Sequence, residues 1–245
     1  MRTVETRDAI VQEMRARGFS LVSPEHVAVC FGVANTALLL LAPTWNDLPR
    51  DAYLKDGGTY RSRRHSSFVQ TMATPELTQV AHRAHWQPVD YNALHGGIER
   101  MFEPIAPPVC DDASWRGLLS GLGQTFAVLN AKPRWFIEAH QFRIDTAEGI
   151  GRPTPEGAHR DGVDFVAVIL VNRQGVKGGE TRVFDAHGTS GVRFTLTEPW
   201  SVLLLDDARV IHETTPIQPD AQNGIAGARD TLVITYRSGG FQDPA

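Results

Sequence analysis

From Pro133 onward the chain is a succession of short apolar runs cut by Gly, Pro and Asp, a pattern that few folds can use. The runs cover residues 135–144, 165–171, 181–184, 192–196, 201–205, 209–212 and 231–236. Each is short for a core helix and rich in β-branched, aromatic or leucine side chains. With a further segment bearing His159 they make about eight strands and no intervening helix pattern, which predicts a sandwich or barrel rather than βαβ units. The chain has no internal repeat and no low-complexity tract.

The preceding half mixes helix and strand signals. Residues 5–17 carry Ile10, Val11 and Met14 at helical spacing and stop at Gly18, a favoured helix C-terminus; Phe19 to Val22 reads as a short strand. Ser23, Pro24 and Glu25 supply a capping hydroxyl, a first-position proline and a first-turn acid, predicting a helix that runs to Leu41 and ends before Pro43. A short helix is expected over 45–55, a turn at Asp56-Gly57-Gly58 and an extended segment over 59–71. Pro75, Pro88, Pro104, Pro107 and Pro108, with Gly96-Gly97, preclude a long regular element before residue 110. Asp111 or Asp112 then caps a helix to about Leu129, whose stripe of Trp115, Leu118, Leu119, Leu122, Phe126 and Leu129 suits packing on a sheet. The expectation is one domain over 1–245, α+β with a mainly β core. Residues 1–130 form a helical and mixed elaboration and 131–240 the barrel.

Composition excludes several function classes. A net charge of −4 over 245 residues leaves no polyphosphate-binding surface, so nucleic acid is not an expected partner. Arg61-Ser62-Arg63-Arg64, the one dense basic run, reads as a solvated loop or strand face. Cys30 and Cys110 are too few for a disulfide framework and fit a reducing compartment. The charged N-terminus lacks the apolar core of a signal peptide, and the longest apolar stretch, 27–42, is interrupted by Gly32, Asn35 and Thr36. A cytoplasmic protein without a membrane partner is expected; the oligomeric state is left open.

The chemistry gathers around His159. Asp161 follows it by two residues where a strand gives way to a turn at Gly162, so the two side chains point the same way. A jelly roll lays early and late strands side by side and can bring His212 to them. Two imidazoles and a carboxylate on one face, with the other side open, make the facial triad of non-haem Fe(II) oxygenases. The bare spacing decides little: 9 His and 28 Asp plus Glu yield about one His-x-Asp/Glu by chance. Arg229 and Thr231 are also two apart, at the start of the last strand, and a guanidinium fork beside a hydroxyl suits a carboxylate on a barrel floor.

The stretches TPEGAHRDGVDFVAVILVNRQGVKGGETRVF, LLLDDARVIHETTPI and GARDTLVITY resemble the Fe(II)/2-oxoglutarate-dependent dioxygenases. In particular they resemble the bacterial subfamily that includes L-isoleucine dioxygenase and related hydroxylases of free L-amino acids. WNDLPRDAYLKDGGTYRSRRHSSF and GGIERMFEPI are similar to it too, so the resemblance covers most of the chain beyond residue 45 and is strongest over 135–236. It implies a double-stranded β-helix, with Fe(II) held by His159, Asp161 and His212. It also implies 2-oxoglutarate as co-substrate, its far carboxylate on Arg229 and Thr231, where the wider superfamily often has Ser at the second position. The implied reaction uses O2 to hydroxylate a C–H bond of a small free L-amino acid, aliphatic or cyclic, with succinate and CO2 as co-products.

A zwitterionic substrate needs a cation for its carboxylate and an acceptor for its ammonium. Gln141 and Arg143 share one face of the first barrel strand, with Glu138 and His140 on the other. Asp164 follows the metal turn, and Arg64 and His65 lie in a pre-barrel segment that resembles the superfamily's lid. Gln141, Arg143, Asp164, Arg64 and His65 are therefore the expected substrate groups, weighed in each case against a structural salt bridge or sheet-surface charge. Trp135 and Phe142 are expected in the core. His26, His82, His85, His95 and His187 read as structural, and Asp206-Asp207 as a turn. The alternatives are the same chemistry on a carrier-tethered or peptidyl residue and a non-catalytic jelly roll that senses a ligand or metal. A zinc hydrolase on the same three ligands leaves Arg229 without a role.

Overall fold

Thr6 accepts a hydrogen bond from the Ala9 amide and Gly18 turns left-handed at φ 76°, so helix α1 (Arg7–Arg17) starts and stops where its sequence signals say. The computed structural model describes residues 3–74, 76–220 and 226–244. Strand β1 (Phe19–Val22) follows α1 directly. The long helix expected from Pro24 to Leu41 is broken into a 3-10 turn at Pro24–His26, α2 (Val27–Phe31), α3 (Asn35–Leu39) and a second 3-10 turn at Ala42–Trp45. The break lies at Gly32, left-handed at φ 75°, which stops α2 as Gly18 stops α1. The chain then doubles back and buries Leu38, Leu41 and Trp45 in the same core as Phe31. The helix expected over 45–55 does not form beyond Trp45. That segment bonds to the next strand instead: the Asp51 amide donates to the Arg61 carbonyl and the Asp51 carboxylate accepts from Arg61.

The remaining elements are β2 (Arg61–Thr71), β3 (Glu76–Gln79), α4 (Pro107–Cys110), α5 (Ala113–Leu129), β4 (Arg134–Asp145), β5 (Phe165–Gln174), β6 (Val176–Gly178), β7 (Thr181–Asp185), β8 (Gly191–Phe194), β9 (Val202–Asp206), β10 (Val210–Thr214), β11 (Ile217–Pro219) and β12 (Ala228–Arg237). Every strand run expected after residue 133 is present. The segment bearing His159 is an isolated bridge to His212 rather than a strand. A seven-stranded antiparallel sheet runs in the order β1-β9-β5-β12-β4-β2-β3, and a smaller sheet β10-β7-β8 completes the jelly roll, a double-stranded β-helix with helices on its outer face. Strands from both sides of residue 131 share the large sheet. The 11-residue strand β2, bearing Arg64 and His65, pairs with β4 along its whole length. Arg64 and His65 are thus sheet residues and not part of a lid.

Period-two alternation gives the large sheet two different faces. On the outer face Ile137, Ala139, Leu232, Ile234, Ala167 and Leu204 pack against the helices. Asp112 caps α5 by accepting from the Ser114 and Trp115 amides. The helix's stripe of Trp115, Leu118, Leu119, Leu122 and Phe126 is fully buried, at about 1.5–3 kcal/mol per large side chain. Gly121 lets α5 lie directly on the Phe31 carbonyl, where a Cβ has no room. On the inner face Val166, Val168, Leu170, Leu203 and Leu205 pack with Val183 and Val210 of the small sheet and fill one end of the barrel. The other end is polar and stays open. Among the described residues no single helix is long and apolar enough to cross a membrane.

Candidate active site

His212 lies on β10, and the bridge pairs it with His159: each amide donates to the other's carbonyl at 3.0 Å. That pairing sets the imidazoles side by side, ring centroids 4.6 Å apart. Asp161 reaches the same side, its Oδ1 3.8 Å from His159 Nε2 and its Oδ2 3.9 Å from His212 Nε2. The three ligand atoms all lie within 4.8 Å of one another. His159 Nδ1 donates to the Gly157 carbonyl at 2.9 Å, which leaves the Nε2 lone pair free for a cation. The turn that carries Asp161 is anchored by Asp207, whose carboxylate accepts from the amides of Asp161, Gly162 and Val163 at 2.7–3.1 Å. Gly162 is left-handed at φ 75°, and a Cβ there would meet the Tyr91 ring at 2.5 Å, so both conformation and space require glycine.

Electrostatics favour a cation between these side chains. Burial and the neighbouring His159 hold the His212 pKa well below its ordinary value, leaving a neutral imidazole. Burial alone would lower His159 as well, but the charges of Asp161 and Glu156 outweigh it and raise its pKa. The potential that draws a proton to His159 is the one a divalent ion can use. Two imidazole nitrogens and one carboxylate oxygen, open on the side of the chamber, fit Fe(II).

Arg229 and Thr231 lie on the inner face of β12 and line the same chamber. Arg229 is buried, and its Nε and Nη2 have no hydrogen-bond partner among the described residues. The adjacent Asp230 points to the outer face, where it is held by Arg143 at 2.7 and 2.8 Å. Burial and the neighbouring Arg173 bring the Arg229 pKa down to about 10, so it stays charged at neutral pH. A buried, unpaired guanidinium is unfavourable until an anion meets it, and a carboxylate matches its fork.

A basic wall stands across the chamber. Arg61 and Arg63 project into it from β2, and Arg100 from the irregular segment 85–100. Asp51 holds Arg61 at 2.7 Å and lies 3.8 Å from Arg63. Arg63 is sandwiched between Phe102 and Phe142, 3.7 and 4.3 Å from the ring centroids, and bonds His140 Nδ1 at 2.7 Å. Arg61 Nη2, Arg63 Nε and Arg100 Nε are each buried without a partner among the described residues, and so is Glu156 Oε2. Beside these arginines His65, His85 and His140 also come within metal-ligating reach of one another. Glu138 already accepts from His65 at 3.1 Å and His85 at 3.3 Å, and the adjoining arginines repel a cation. Burial lowers the pKa of all three, to about 4 for His85, so the cluster is a neutral hydrogen-bonded network.

The residues expected to grip a substrate fall elsewhere. Gln141 and Arg143 lie on the outer face of β4, engaged by Thr44 Oγ1 at 3.0 Å and by Asp230. It is Glu138, His140 and Phe142, on the alternate face, that line the chamber. Arg64 bonds the Pro104 carbonyl on the outside. Asp164 ties the end of β12 by accepting from the Ser238 amide at 2.8 Å. His65 is fully buried in the histidine network, bonded to Glu138. Conversely, Arg61 and Arg63, read as a solvated basic run, are buried, and His85 and His95, read as structural, line the chamber. Trp135 is in the core as expected; Phe142 is a chamber wall. Gln87 and Arg100 carry no signal in their Pro- and Gly-broken segment, while Asp207 was visible only as a turn residue.

Residues 42–235 match a family model described as 2OG-Fe dioxygenase. A crystal structure of a bsmA homolog from Methylobium petroleophilum is 56% identical over 100% of this chain and 97% of its own, with a TM-score of 0.95. IDO from Bacillus thuringiensis shares the fold at 20% identity and a TM-score of 0.77, covering 98% of this chain and 99% of its own. A Pseudomonas putida prolyl-4-hydroxylase does so at 15% identity and 0.54, covering 96% and 100%. No curated protein matches in a search by sequence.

Proposed function

The chain belongs to the 2OG-Fe dioxygenase family, and from that premise we propose that it hydroxylates a C–H bond of a small free L-amino acid, aliphatic or cyclic. The family's chemistry uses Fe(II), 2-oxoglutarate and O2: one oxygen atom goes to the substrate, the other to succinate, and CO2 leaves. In this reading His159, Asp161 and His212 hold Fe(II), as their donor set and mutual spacing favour. Arg229 takes the far carboxylate of 2-oxoglutarate, which meets its unpartnered Nε and Nη2, with the Thr231 hydroxyl beside it. The Asp207-anchored turn keeps Asp161 in place, and the wall of buried side chains keeps water from the reacting bond.

One observation carries the substrate class. The chamber holds unpartnered donors of both Arg63 and Arg100 together with an unpartnered carboxylate oxygen of Glu156, all buried. A free amino acid brings a carboxylate for the guanidinium groups and an ammonium for the carboxylate, and so satisfies both. A peptidyl residue brings neither charge. Phe142, Val168 and Val233 supply apolar wall for an aliphatic side chain. The test is aerobic turnover with Fe(II), ascorbate and 2-oxoglutarate on matched pairs, each free L-amino acid beside its N-acetyl amide, followed by mass spectrometry. The reading expects oxygen to be gained by free amino acids alone. Equal or better turnover of the capped partners would replace it with the peptidyl or carrier-tethered reading.

A further inference from the structure

Gln87 stands between the basic wall and the metal turn. Its Oε1 accepts from Arg100 Nη2 at 2.9 Å and Asn92 Nδ2 at 3.2 Å, and its Nε2 donates to Asp161 Oδ1 at 3.2 Å. Two donors on the oxygen fix which way the amide faces, so the donation to Asp161 follows from the network. The partners are themselves held in place. Arg100 and His85 exchange backbone hydrogen bonds at 3.0 Å, the Gly97 amide donates to the Gln87 carbonyl at 2.8 Å, and Asn92 Oδ1 accepts from the His95 amide at 2.7 Å. Gln87, Asn92 and Arg100 are all buried.

Arg100 has no carboxylate within ion-pair distance among the described residues, and its Nε is unpartnered. Burial and the nearby Arg61 bring its pKa down to about 10, still a cation at neutral pH. Its charge therefore polarises the amide that it bonds, and the amide in turn bonds the metal-ligand carboxylate. In a water-poor interior such chains reinforce one another. An anion at Arg100 weakens its donation to Gln87 Oε1, which in turn weakens the Nε2 donation that orients Asp161 for the metal. We propose that Arg100, Gln87 and Asp161 form a relay through which a substrate carboxylate bound at Arg100 adjusts the metal ligand, with Gln87 as a positioning residue. The carboxylate at Arg100 rests on the amino-acid reading above; the Gln87 link does not.

The two parts are separable by experiment. Co(II) alone is titrated by its visible absorption into the wild type, Gln87→Leu, Arg100→Gln and the double variant. Loss of such an outer hydrogen bond weakens a metal site roughly 10- to 100-fold, so Gln87→Leu is expected to bind Co(II) at least about tenfold more weakly with a shifted band. Arg100→Gln is expected to change the affinity in the wild-type background and to have no further effect once Gln87 is gone. Effects that multiply, or a Gln87→Leu protein with wild-type affinity and spectrum, overturn the relay. Melting curves of the metal-free proteins identify misfolding, and Arg100→Lys replaces Arg100→Gln if the latter does not fold. A pool of the twenty protein L-amino acids, added to the Co(II) and 2-oxoglutarate complex, should move the wild-type band and leave that of Gln87→Leu unmoved. Equal movement of both overturns the relay. A pool that moves neither, with coupling present in the cycle, refutes the carboxylate at Arg100 and the amino-acid reading and leaves the Gln87 link standing.

Discussion

Replacing Arg229 with Met separates a co-substrate role from a structural one, because the two predict opposite signs for stability. The side chain is buried and its Nε and Nη2 lack partners, while Asp230 has its own ion pair with Arg143 and is not orphaned by the change. Removing an uncompensated buried charge in favour of an apolar side chain of similar length is neutral or stabilising, by up to about 1–4 kcal/mol. Removing the partner of a bound carboxylate has the opposite effect. Two hydrogen bonds to a charged group are worth about 1.5–3 kcal/mol each, so at least about 3 kcal/mol of 2-oxoglutarate affinity is lost, on the order of a hundredfold. The assay is an anaerobic titration of 2-oxoglutarate into the Fe(II)-loaded protein, followed by the visible band of the chelate, beside thermal unfolding of the ligand-free protein. An affinity within about threefold of wild type refutes the assignment of Arg229. A ligand-free protein that melts well below wild type refutes the argument from its unpaired charge.

Three further outcomes are expected. Asp207→Asn weakens the anchor of the metal turn, since an amide has one acceptor oxygen for three backbone donors, and Co(II) affinity should fall about 10- to 100-fold by visible titration. His85 is held neutral by burial, its pKa near 4 in the folded protein against about 6.5 unfolded, so the folded state binds fewer protons between those values. Its stabilising contribution is present above the unfolded value and is lost as the pH falls toward 4. Urea midpoints should therefore drop less steeply from pH 7 to pH 4.5 for His85→Gln than for wild type, and parallel curves would contradict this. Gln141→Ala and Arg64→Ala should leave the KM for the proposed amino-acid substrate within about twofold, whereas Arg63→Gln, which removes a buried cation of the chamber, should raise it at least about tenfold.

What could be read from the sequence follows from the range of the rules involved. The strand runs after residue 133 and the Asp112-capped helix depend on neighbours a few residues away, and they stand where their composition and caps place them. His159 with Asp161, and Arg229 with Thr231, needed only the period-two rule, and the fold then brings both pairs to one chamber. The same rule could not say which face of β4 turns inward. Gln141 with Arg143 and Glu138 with His140 satisfy it equally, and Glu138 and His140 face the chamber because the helices cover Ile137 and Ala139 on the other side. The basic run at 61–64 looked solvated because its burial depends on Asp51 and on the Phe102 and Phe142 rings, which arrive from distant parts of the chain. Gln87 and Arg100 were out of reach for a related reason: an irregular segment has no period, and only tertiary contacts say where its side chains go.

The most direct test of the central claim is to supply 18O2 to the protein with Fe(II), 2-oxoglutarate and the pooled L-amino acids, and to weigh every product. The account predicts one 18O atom in succinate and one in the hydroxyl of a single free amino acid, in equal amounts, with both signals lost in His159→Ala. Labelled succinate without any labelled amino acid, or a labelled amino acid that persists in His159→Ala, would contradict it.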